Sequence, residues 1–86
     1  MWIVELEFTG EPERMAARGA HRQLLTEMHE QGIVRQAGPF GDDSGALIVF
    51  DVPDQAKLNE IMSRDPYFST TGVVVKQVRE WRPFLA

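Results

Sequence analysis

Trp2-Ile3-Val4-Glu5-Leu6-Glu7-Phe8 decides how the rest of the chain is read. Trp2, Val4, Leu6 and Phe8 fall on one side and Glu5 and Glu7 on the other, a period of two that marks a strand. Beyond it, Thr9-Gly10 and Glu11-Pro12-Glu13 make a loop that delivers acidic residues to the positive end of a helix. A proline-free run then reaches Gly32. At about 100° per residue, Ala17, Ala20, Leu24, Leu25 and Met28 share one arc, with Gln23, Glu27 and Glu30 outside it. That pattern is an amphipathic helix, closed by the glycine at 32.

The alternation of elements continues downstream. Ile33 to Ala37 reads as a second strand, broken at Gly38-Pro39-Phe40. The turn formers Gly41-Asp42-Asp43-Ser44-Gly45 follow it. Ala46 to Val52 is a third strand, apolar throughout its first five residues, as expected of a strand covered on both faces. Pro53-Asp54 opens a second helix carrying Ala56, Leu58, Ile61 and Met62. It stops before Asp65-Pro66, because a residue preceding proline is driven out of the helical region. Gly72 to Trp81 is the last strand. The order β-α-β-β-α-β predicts an α+β, ferredoxin-like fold, with a four-stranded antiparallel sheet and two helices on one of its faces. Apolar residues on both sides of the third strand and at Val73 to Val75 leave the second face to be covered by another copy. A homodimer is the expectation.

Composition narrows the function. With 86 residues the chain is one domain, 1–86, and its core is thin. The absence of cysteine excludes disulfides, thiolate nucleophiles and cysteine zinc sites. A net charge of −4 opposes nucleic-acid binding. The N-terminus has no basic leader, and no apolar run is long enough to span a membrane, so a cytoplasmic protein without membrane contact is expected. No phosphate-binding glycine loop, Gly-x-Ser-x-Gly or His-Glu-x-x-His is found. Asp42 and Asp43 read as a solvated turn, and no metal or cofactor is expected.

Two residues carry the candidate chemistry. His21 sits inside the apolar arc of the first helix, where an imidazole must find a hydrogen-bond partner or bear the cost of desolvation. A core histidine bonded to a carbonyl competes there with a general acid/base. Asp65, in Ser63-Arg64-Asp65-Pro66-Tyr67-Phe68, is either a helix-exit turn residue or a carboxylate that orients the histidine ring. Tyr67, Phe68 and Phe40 are candidate walls of a small apolar site, and Arg18, one turn before His21, is a candidate carboxylate contact. His29 falls near the polar side and reads as solvated.

Taken in order, Arg18-Gly19-Ala20-His21, Gln36-Ala37-Gly38-Pro39-Phe40 and Asp65-Pro66-Tyr67 resemble the YCII-related family over nearly the whole chain. Gly19 departs from the proline usual in that family's Arg-Pro-x-His. The resemblance implies a dimeric α/β barrel and an active-site dyad of His21 and Asp65, without a substrate. Relatives include an enzyme of chlorinated-hydroxyquinol breakdown that removes chloride with a His-Asp pair. Val49-Phe50-Asp51-Val52, Leu58-Asn59-Glu60-Ile61-Met62 and Trp81-Arg82-Pro83-Phe84 are also similar, more distantly, to muconolactone isomerases. The expectation is a cofactor-free lyase, hydrolase or isomerase acting on a cyclic or carboxylated metabolite. The competing expectations are a non-catalytic dimeric module that binds a small ligand in the same cleft, and a pair that only braces the first helix.

Overall fold

The strand alternation and the helical arc resolve into seven elements. The computed structural model describes all residues, Met1–Ala86. Strand β1 is Trp2–Phe8, helix α1 Glu13–Glu30, β2 Val34–Pro39, β3 Gly45–Phe50, α2 Gln55–Ser63 and β4 Val73–Glu80. A short 3-10 helix, Pro66–Ser69, lies between α2 and β4. The sheet is antiparallel throughout, in the order β2-β3-β1-β4, which is the ferredoxin-like arrangement. In one chain it is open, with β2 and β4 as its edges.

Local chemistry sets the helix ends. Asp54 caps α2 by accepting the Lys57 N–H at 2.8 Å. Helix α1 closes in a Schellman motif: Ile33 N–H donates to the Met28 carbonyl and Gly32 N–H to that of His29, with Gly32 at φ +81°. The core joins Val4 and Leu6 of β1 to Ile48 and Phe50 of β3, under Leu25 of α1, Leu58 and Ile61 of α2, and Tyr67. Register explains this grouping, since Val4 pairs with Ile48 and Trp2 with Phe50, so all four point to the helical face.

Four details differ from the sequence expectation. Strand β2 runs on through Gly38-Pro39, because an edge strand tolerates a proline that a central one would not. Strand β3 ends at Phe50 rather than Val52. Ala20 and Ala56 are exposed, because the helices rest on a narrower stripe than the apolar arc of each one. The face away from the helices is also less apolar than expected. It presents Ile3, Leu47, Val49 and Val74, but Glu5, Glu7, Gln77 and Arg79 lie among them in register. Of the valines at 73 to 75, only Val74 points that way, and a bulge after it displaces Lys76 from the ladder.

The two central strands leave no room for a side chain at Gly45, which pairs with Glu7. A Cβ there would lie 1.9 Å from the Leu6 carbonyl oxygen. Gly45→Ala therefore must displace backbone, and it is expected to lower stability by about 3 kcal/mol or more in urea denaturation. Gly19 lies in mid-helix with open space around it. Gly19→Ala is expected to raise stability by about 0.5–1 kcal/mol in the same assay. Equal and like-signed effects would contradict this account of the backbone.

Candidate functional site

Helix α1 and the segment after α2 converge on one buried polar pair. His21 is 6% exposed and Asp65 4%, and apart from the Tyr67 phenol they are the only buried ionisable side chains. His21 Nδ1 and Asp65 Oδ2 are 2.5 Å apart. An ionised carboxylate only accepts, so Nδ1 carries the proton and donates it. The second oxygen, Oδ1, accepts the Tyr67 N–H at 3.0 Å and so caps the 3-10 helix. Asp65 is thus at once the turn residue before Pro66 and the hydrogen-bond partner of His21, one role on each oxygen.

The imidazole is held on its faces as well as its edge. The Tyr67 ring stacks on it, with centroids 3.9 Å apart and planes 11° from parallel, and Phe68 meets it edge-on at 5.4 Å. Asp65, Tyr67 and Phe68 all come from the one short segment after α2. Ring orientation and tautomer are therefore both set from a single element. The other nitrogen, Nε2, has no partner in the chain. No unpartnered side-chain nitrogen or oxygen is sealed from solvent, so Nε2 is accessible.

His21 and Tyr67 form part of the wall of an open cleft of about 890 Å³ between α1 and the β2–β3 edge of the sheet. Its floor is apolar and made of small residues, including Ala37, Gly38, Pro39 and Ala46. Its helical wall carries Arg14, Arg18 and Arg22. Arg14 is held in place, with its guanidinium 3.9 Å from the Phe8 ring centroid and Nη1 donating to the Tyr67 hydroxyl at 3.4 Å.

The expected site residues are only partly brought together. His21, Asp65, Tyr67 and Phe68 are in mutual contact, and Arg18 and Tyr67 line the cleft. Asp65 and Phe68 stand behind the ring rather than in the cleft wall. Phe40, at the start of the β2–β3 turn and 37% exposed, lies outside the lining. Arg22 escapes a reading by pattern, because charge on a helix normally marks a solvated face, whereas Arg14 falls on the wheel between His21 and Leu25 and was legible as a charge inside the apolar arc. The signal that finds them is the four-residue repeat of arginine at 14, 18 and 22 alongside His21. His29 is exposed as expected but not free, since its Nδ1 pairs with the Val34 carbonyl at 2.8 Å, and it also borders the cleft.

No cluster of three or more His, Cys, Asp or Glu side chains forms a candidate metal site. Asp42 is engaged within its own turn, where hydrogen bonds from the Ser44 hydroxyl and N–H hold its carboxyl below the usual carboxylate range. No helix is long and apolar enough to cross a membrane.

No curated protein matches the chain. The family model described as the YCII-related domain matches residues 2–82, which takes in every strand and both helices, the buried His21–Asp65 pair and the whole cleft. The chain belongs to the YCII-related family.

Proposed function

We propose that this protein is a small-molecule enzyme, of lyase, hydrolase or isomerase type, in which His21 Nε2 is the general acid/base. The observation that carries the reading is the buried Asp65–His21 bond at 2.5 Å beside an accessible Nε2 at the cleft. With its proton fixed on Nδ1, the ring presents a lone pair at Nε2 that accepts a proton from substrate. The imidazolium so formed is stabilised by the Asp65 carboxylate, and Nε2 then returns the proton to the leaving or rearranging atom. Proton transfer of this kind contributes roughly 10²- to 10⁴-fold, and positioning in the cleft contributes the remainder. The chemistry uses these side chains and no cofactor. A carboxylated substrate suits the arginines on the helical wall, and a cyclic carbon skeleton suits the small apolar floor.

The assembly belongs to the same proposal. Ile3, Leu47 and Val74 leave apolar surface on the open face of the sheet, around a Val49 already buried in the single chain, and a second copy packed face to face would cover it. Val49 packs outside the main core cluster, which supports its assignment to that second face.

Substitution at His21 separates chemistry from bracing. His21→Asn keeps an N–H donor near the Nδ1 position but removes Nε2. It is expected to keep the fold and to lower turnover about 10²- to 10⁴-fold. His21→Ala leaves a buried carboxylate without its partner, and it is expected to cost about 3–5 kcal/mol of stability. The assay is NMR of the histidine ring protons with a panel of small carboxylates and lactones, followed by substrate loss or C–H exchange in D2O. Acids that move the His21 signals but never react, even with the wild type, would identify a binding module. If no acid moves them at all, the pair is a brace and the functional reading fails.

For the assembly, sedimentation equilibrium is expected to give twice the 9.8 kDa chain mass. Val74→Glu, which sets a second carboxylate opposite Glu7, is expected to return the protein to a single chain with its fold intact. A monomeric wild type would overturn the dimer.

A further inference from the structure

The arginines of the cleft define more than an attraction for one acid. Arg14, Arg18 and Arg22 repeat every four residues along α1 and so rise about 12 Å over two turns. All three line the same cleft, and none is in an ion pair. The arginines and lysines that do form ion pairs are elsewhere: Arg35 with Asp51, Lys57 and Arg64 with Glu60, Lys76 with Glu5 and Arg82 with Glu80. In a chain with thirteen acidic residues and a net charge of −4, three guanidiniums left unneutralised in one cleft are a local inversion of the overall charge. Asp43 is the one carboxylate in the lining.

The row has two ends that differ. Arg14 is anchored at one end, by the Phe8 ring and the Tyr67 hydroxyl, beside the aromatic stack that holds His21. Arg18 lies a turn further on and one turn before His21. Arg22 is exposed, a second turn along, and faces the part of the cleft bordered by Thr26 and His29. A carboxylate is satisfied by one bidentate guanidinium or shared between two neighbours, and an anchored Arg14 does not travel two turns to meet Arg22. One acidic group therefore occupies Arg14 and Arg18 and leaves Arg22 unpaired.

We infer that the ligand of this cleft is a dianion with two separate acidic groups. One group sits on Arg14 and Arg18, next to the reacting nitrogen of His21. The second sits on Arg22, toward His29. The carbon body between them lies on the floor of Ala37, Gly38, Pro39 and Ala46. This inference rests on the small-acid reading above and adds the charge and layout of the substrate. It also gives Arg14 and Arg22 distinct roles: Arg14 holds the group at the reacting end, and Arg22 selects for the second acid.

Matched acids test it. Dissociation constants are read from the His21 ring-proton shifts at fixed ionic strength, comparing adipate with hexanoate and terephthalate with benzoate. At least one dianion is expected to bind about tenfold or more tightly than its monoacid, the yield of one added charge-assisted contact. In Arg22→Gln the ratio is expected to fall to about twofold or less, with the monoacid affinity retained. In Arg14→Gln both acids weaken together. Arg35→Gln, outside the cleft, changes neither, and thermal melts confirm that each variant is folded. A dianion preference below about twofold in the wild type, or one that survives Arg22→Gln, overturns the inference and leaves the small-acid reading standing. If no acid moves His21 at all, both fall.

Discussion

The Asp65 carboxylate is the constraint on which the rest of the site depends. Its two oxygens face in different directions along the chain, one toward a helix that begins 52 residues earlier at Glu13 and one toward its own turn. Burying a carboxylate costs several kcal/mol unless its lone pairs are met, and here both oxygens are. Because the Oδ1 bond to Tyr67 N–H winds the 3-10 helix, it also brings the Tyr67 ring flat against the imidazole that Oδ2 holds. The tautomer of His21, its stacking partner and the position of the Tyr67 hydroxyl under Arg14 all follow from one residue. A carboxamide at position 65 would offer one acceptor and one donor where two acceptors are used, and the arrangement would lose one side or the other.

The fold was legible because its signals are periodic. Strict alternation in β1, the arc of α1 and the apolar run of β3 each repeat often enough to define an element, and the glycine at 32 and the aspartate at 54 mark its ends. The 3-10 helix was not legible, since four residues are too few for a period and Asp-Pro reads equally as an exit from α2. The error at β2 has a similar cause. Gly38 and Pro39 are breakers by local preference, and only their place on a sheet edge, a tertiary fact, lets the strand continue through them.

The site was half legible for a related reason. His21 stood out because a polar ring in an apolar arc conflicts with its surroundings, and such a conflict is what sequence can show. Asp65 was ambiguous because its two roles use the same residue type. Arg22 produced no conflict, lying toward the charged side of the helix, whereas Arg14 falls between His21 and Leu25 on the wheel and is a conflict of the same kind that the reading passed over. Their meaning comes from the cleft, and the cleft comes from absences: Ala37, Gly38 and Ala46 are too small to fill the space between α1 and the edge of the sheet. Residues that read as turn formers or as a strand end are, in the folded chain, the reason that there is room for a ligand.

Helix α1 thus carries three duties on overlapping faces, with Leu25 in both the core and the cleft lining. Leu25 enters the main core, while Leu24 and Met28 line a groove shared with Ile61 of α2. The arginine row faces the cleft, and His21 lies where the core face meets the cleft face. A histidine at that boundary can be buried enough for Asp65 to fix its tautomer and still keep Nε2 open. Moved one position toward the core, the ring would be sealed; moved one position toward the cleft, it would leave the reach of Asp65 and of the Tyr67 stack. The chemistry therefore depends on the rotation of α1 about its own axis, and that rotation is held by Leu25 on one side and by the His21–Asp65 bond on the other. In a domain this small the same contacts keep the helix in place and aim the reacting nitrogen.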